Sequence, residues 1–84
     1  AAGQADREPE QELRRQQQVA RVNAALMQLS VSDREIISLK DMHDYAYKDI
    51  ACLLGIPIGT VMSRLYTARS RLRSLLEEDG DEQP

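Results

Sequence analysis

Residues 53–73 read LLGIPIGTVMSRLYTARSRLR, and residues 50–76 hold four arginines and no acid in a chain of formal net charge −3. A guanidinium is a planar fork of donors that fits phosphates and guanine edges, so this pattern points to binding rather than to bond-making. Thr60, Ser63 and Thr67 stand among the arginines Arg64, Arg69, Arg71 and Arg73, and such short side chains let a helix approach a groove closely. Two other groups could in principle do chemistry. His43 stands between Asp41 and Asp44, but no second ligand cluster matches it, and a solvated interhelical loop is the expectation there, with no metal site. Cys52 has no second histidine with which to build a nucleophilic pair, so a small buried or half-buried hydrophobe is expected. The expectation is therefore a binding module without catalytic residues or cofactor, and not an enzyme.

The elements that must position these residues belong to a small domain. Eighty-four residues, 42% hydrophobic and 30% charged, suffice for a single modest core. One cysteine allows no internal disulfide, no run approaches the roughly 18 apolar residues of a membrane span, and a cytoplasmic setting without a membrane partner is expected. The chain opens AAGQADREPEQE without a methionine, which suggests a fragment preceded by a further region. Charge is segregated: residues 32–55 carry five acids and three bases, residues 56–76 four bases, and residues 77–84 five acids. The polar ends predict a flexible linker remnant over residues 1–12 and an acidic disordered tail over 78–84, flanking a domain over 13–77.

Periodicity predicts an all-α fold of about four helices. Val19, Val22, Leu26 and Leu29 form one apolar stripe on a helix that starts near Glu10. Ser32 followed by Glu35 reads as a capping box, so a second helix is expected from 33 to about 42, interrupted by MHDYA. A short third helix over 47–54 should bury Ile50, Leu53 and Leu54 and stop at Gly55. After Pro57, the apolar positions Ile58, Val61, Leu65, Ala68, Leu72 and Leu75 predict a long amphipathic fourth helix. On its wheel Thr60, Ser63, Arg64, Thr67 and Arg71 face away from the core, flanked by Met62, Tyr66, Arg69 and Arg73. Glu77 lies one turn beyond Arg73 and could pair with it, and the following acids should fray the helix end. Glu77 is also about 20 Å from Arg64, beyond the ~8 Å screening length, so it leaves that arginine unneutralised. A short helix, a tight turn at LGI and a long helix make a helix-turn-helix, whose second helix enters the major groove.

Residues 22–76, and above all YKDIACLLGIPIGTV and SRLYTARSRL, resemble region 4 of bacterial sigma factors of the sigma-70 class, most closely the extracytoplasmic-function group. The resemblance implies recognition of the promoter element near position minus 35, docking on the RNA polymerase core through its flap, and masking by an anti-sigma factor. It carries Ser63, Arg64, Tyr66 and Arg69 over as contact positions. Gly59 and Thr60 at the helix start can offer an amide or a hydroxyl to a phosphate, and Lys48 on the supporting helix is a backbone-contact candidate. Three positions depart from the family pattern. Met62 replaces a usual basic residue, Thr67 a frequent arginine, and Ala46 a usual Ser or Thr. The first two put the sequence preference in question, since a bidentate arginine supplies about 1–3 kcal/mol of base discrimination. They also leave open an alternative: a sigma-like module that engages an anti-sigma factor or polymerase through Met62, Leu65 and Tyr66 without reading DNA.

Overall fold

The computed structural model describes residues 8–82, with side chains described through Glu78. Residues 1–7 of the linker expected over 1–12, and residues 83–84 of the expected tail, lie outside the described residues. Four α-helices follow one another: α1 (Pro9–Gln28), α2 (Val31–Ile37), α3 (Tyr47–Leu54) and α4 (Ile58–Glu82), with a π-helical turn (Ser38–Met42) extending α2. No strand occurs among the described residues, so the fold is all-α, as expected.

Pro9 opens α1 where its missing amide hydrogen costs nothing, so residues 9–12, assigned from sequence to a linker, are helical. Only the C-terminal part of α1 meets the core: Ala25, Leu26 and Leu29 are buried, whereas Val19 and Val22, expected on the same buried stripe, are exposed. The stripe continues past the point where other helices remain to cover it. Arg34 clamps the end of α1 by donating through Nε to the Leu26 carbonyl at 3.2 Å and through Nη2 to the Leu29 carbonyl at 3.3 Å. Both carbonyls belong to the end of the helix, and that of Leu26 also accepts from the Leu29 amide at 3.1 Å.

The N-cap of α2 is Ser30, not Ser32. Ser30 is extended (φ −62°, ψ 157°), and its hydroxyl accepts from the Asp33 amide at 3.1 Å. Two serines each stand three residues before an acid, and burial chooses between them: the earlier start buries Asp33, Ile36 and Ile37 together. The chain then widens to π winding, with the His43 amide donating to the Ser38 carbonyl at 3.0 Å. It reverses at Asp44, whose φ of 55° lies in the left-handed region that aspartate tolerates better than most residues.

Ile50 is buried at the centre of α3, with Tyr47, Ala51 and Leu54 packed at its sides. Leu53, expected in the core, points off that face and is exposed, and Cys52 beside it is exposed rather than half-buried. The helix stops at Gly55 in the left-handed conformation (φ 69°). Pro57 then accepts the first amides of α4, from Thr60 at 3.0 Å and Val61 at 3.1 Å. Across this three-residue turn the axes of α3 and α4 bend through 100°, within the helix-turn-helix range. Val61, Leu65 and Ala68 close the core against Ile36, Ile37 and Ile50, with Leu72 and Leu75 half-buried beyond them. α4 continues through Glu82, past both the expected fraying point and the proposed tail boundary at 78. Backbone hydrogen bonding outweighs an unfavourable dipole interaction of about 0.3–1 kcal/mol per acid. Among the described residues no single helix is long and apolar enough to cross a membrane.

Two long-range ion pairs bind α4 to the rest. Asp33, the buried ionisable residue among the described residues, accepts from Arg71 Nη1 at 2.7 Å. Asp41, on the π turn, receives Arg69 as a two-pronged pair, with Nε to Oδ2 at 3.0 Å.

Two of these local arrangements can be tested in solution. Ala46 is the N-cap of α3, extended at ψ 149° and without a side-chain hydrogen bond to offer. Ala46→Ser should therefore stabilise the domain by about 1 kcal/mol in denaturant melts. The Arg69 guanidinium, chiefly by hydrogen bonding, holds the Asp41 carboxyl below the ordinary aspartate range. The stability it contributes is thus present above the unfolded value of ~3.9 and disappears as pH falls through the depressed folded value. A carboxyl-carbon NMR titration should show the Asp41 midpoint rising towards the ordinary value in Arg69→Gln.

Candidate nucleic-acid interface

The residues singled out on α4 divide according to the side of the helix they leave from. The core side is Val61, Leu65 and Ala68. Opposite it, at ~100° per residue, stand Gly59, Ser63, Tyr66 and Ser70, with Met62 and Thr67 to either side. Tyr66 is 78% exposed and Met62 49% exposed. Arg64 and Arg71, expected to point straight outwards, instead lie on the flank towards α2, where they share a polar groove with Ser30, Ser32, Asp33, Ser63 and Thr67. Arg69 leaves by the other flank, where Met62, Tyr66 and Tyr47 line a second recess with it and Arg73.

The arginines are not equivalent. Arg71 is committed to buried Asp33, and Arg69 to Asp41, which in turn raises the already high pKa of Arg69. Arg64 is exposed and makes no hydrogen bond or ion pair with the described residues, so its full set of donors faces solvent. Arg73 likewise has no ion pair among the described residues; the pairing with Glu77 inferred from their spacing does not form there. Ser63 donates its hydroxyl hydrogen to the Thr60 carbonyl at 3.2 Å, which leaves its oxygen as an acceptor. Gly59 is exposed, and a side chain in its place would meet nothing within 4 Å of its Cβ; Thr60 is half-buried at the same turn. Lys48 is exposed at the start of α3, whereas Lys40 on the π turn lies over the Tyr47 ring, 4.8 Å from its centroid. His43 meets Tyr45 edge-on at 6.4 Å between ring centroids.

A second surface escaped the sequence reading. Met27 (68% exposed) and Val31 (73% exposed) project with Met42 from a shallow apolar groove between α1 and the α2–π segment, floored by Leu26 and edged by Asn23, Arg34, Glu35 and Ser38. Its signal in the sequence is weak, because these apolar residues fall off the helical stripes and come from three separate elements.

A family model for sigma-70 region 4 matches residues 20–72. Over 59 residues the chain is 41% identical to "ECF RNA polymerase sigma factor EcfG" of Rhodopseudomonas palustris, a match spanning 70% of this chain and 33% of that protein. It is 46% identical over 55 residues to "ECF RNA polymerase sigma factor SigM" of Mycobacterium tuberculosis, 66% of this chain and 28% of that protein. With "RNA polymerase sigma factor CnrH" of Cupriavidus metallidurans the identity is 32% over 73 residues, 87% of this chain and 38% of that protein. The chain thus spans about a third of the length of these relatives. The match runs from the last turns of α1 through the helix-turn-helix to Leu72 on α4, and the chain belongs to the sigma-70 region 4 family.

Proposed function

We propose that this domain serves transcription initiation in bacteria by laying α4 in the major groove of the promoter minus-35 element while the domain docks on the RNA polymerase core. The observation that supports this reading most directly is Arg64, exposed and uncommitted beside Ser63 on a helix that a 100° turn lifts clear of its supporting helix. DNA contacts are assigned to Met62, Ser63, Tyr66 and Thr67 on the outer face, to Arg64 at its flank, and to Gly59, Thr60, Lys48, Arg69 and Arg71 at the phosphates. Residues 13–77 are the working unit, and its setting is the cytoplasm, where polymerase and promoter meet.

Docking on the polymerase flap is assigned to the groove of Met27, Val31 and Met42. Methionine-rich apolar surfaces adapt to a partner helix, and the surface lies away from the α4 face, so both contacts can form at once. An anti-sigma factor would silence the domain by covering either surface.

The test is a titration of the 84-residue chain against a minus-35 duplex and a scrambled one over a range of salt. Affinity should fall steeply with salt, as phosphate contacts release counterions. Arg64→Ala should weaken binding by at least about 1 kcal/mol, and Met62→Arg should strengthen it. If Arg64 reads a base, its loss changes the ratio between the two duplexes; if it holds a phosphate, both fall alike. A chain that binds no duplex at low salt, yet captures a polymerase flap fragment, would assign the basic face to a protein partner instead.

A further inference from the structure

From Gly59 to Ser70 the side of α4 that would meet base edges carries no cation, and the N-terminal turns of a recognition helix are the ones that reach the bases. Gly59, Met62, Ser63, Tyr66, Thr67 and Ser70 form that stretch, Arg64, Arg69 and Arg71 leave from its two flanks, and Arg73 joins the same face only beyond Ser70. A helix about 10–12 Å across fills a major groove about 12 Å wide, so residues on its flanks meet the two phosphate walls while the outer face meets the bases. Arg69 and Arg71 are held on those flanks by Asp41 and Asp33 respectively. The bidentate readers of guanine (Arg, Lys) and of adenine (Asn, Gln) are both absent from the base-facing strip.

What the strip does offer is apolar: a half-exposed Met62, a Tyr66 ring 78% exposed, and the Thr67 methyl. In the major groove the one apolar feature of the four bases is the thymine C5 methyl. Ser63 is compatible with this reading: with its hydrogen given to the Thr60 carbonyl, its oxygen can only accept, which suits a base amino group, adenine N6 as well as cytosine N4. Resting on the groove-binding role proposed above, we infer that this domain recognises thymine methyl groups through Met62, Tyr66 and Thr67, so that its target presents A·T pairs where the helix faces the bases. The flanking arginines supply affinity and register.

Deoxyuridine tests this directly, because it removes the methyl and keeps every hydrogen bond and phosphate. The 84-residue chain is used to enrich duplexes from a randomised pool, and the recovered duplex is compared with its counterpart carrying uracil in place of thymine. Affinity should drop about fourfold for each methyl that packs against the strip, the transfer value of one methylene. Met62→Ala and Tyr66→Ala should each lose part of that thymine preference while keeping the wild-type salt slope. Both side chains lie outside the core, and a matching circular dichroism melt checks that the fold is unchanged. Equal affinity for the thymine and uracil duplexes, or enrichment of guanine runs, overturns methyl recognition and leaves groove binding standing. Failure to enrich any duplex at low salt overturns both.

Discussion

A carboxylate withdrawn from water must be matched, and in this domain the carboxylate of Asp33 sets where two helices lie. Its backbone amide is taken by Ser30, which fixes the first turn of α2; its side chain takes Arg71, which fixes the roll of α4. Arg71 lies 38 residues from Asp33 in the chain, and the two commitments meet at that one residue. Turning α4 by a single position, about 100°, would strand the carboxylate and carry Val61 and Leu65 out of the core. The face that α4 shows to solvent is therefore tied to a pair between a buried carboxylate and an exposed guanidinium at its edge.

The basic run consequently divides its charges between folding and binding. Arg71 and Arg69 each arrive at any anion already holding a carboxylate, so an incoming phosphate gains less from them than from a solvated cation. The Asp41–Arg69 pair is about a third exposed, which keeps the exchange of one anion for another within reach. Arg64 has no prior partner to give up. Affinity in this arrangement is spread over the flanks and concentrated at one residue, while the centre of the face stays neutral.

Much of the fold could be read along the chain. Gly55 and Pro57 announce the turn, and the spacing of Val61, Leu65, Ala68 and Leu72 announces the long helix, because both rest on local backbone chemistry and on a period that a single helix displays. The failures share a cause. Ser30 and Ser32 are equivalent capping candidates locally, and only the burial of Asp33 separates them. Val19, Val22 and Leu53 are apolar at plausible spacings, yet no neighbouring element covers them. The partners of Arg69 and Arg71 come from the π turn and from α2, separations at which a sequence names candidates without choosing among them. Arg64 and Arg71 are expected on the outer face, yet the stripe of Val61, Leu65 and Ala68 that the sequence displays is the one buried, and at ~100° per residue both arginines stand beside that stripe rather than opposite it.

The length of α4 has a consequence for how the domain meets its target. Its 25 residues form a rod of about 37 Å, with arginines at positions 64–73 and then Glu77 and Glu78 towards the far end. In the field of a polyanion such a rod feels a torque: the acidic end is pushed away as the basic stretch is drawn in. A chain with a net negative charge would ordinarily be slowed in approaching DNA. Here the repulsion acts mainly on encounters that begin with the wrong end, so charge that opposes association on average becomes a filter on its orientation.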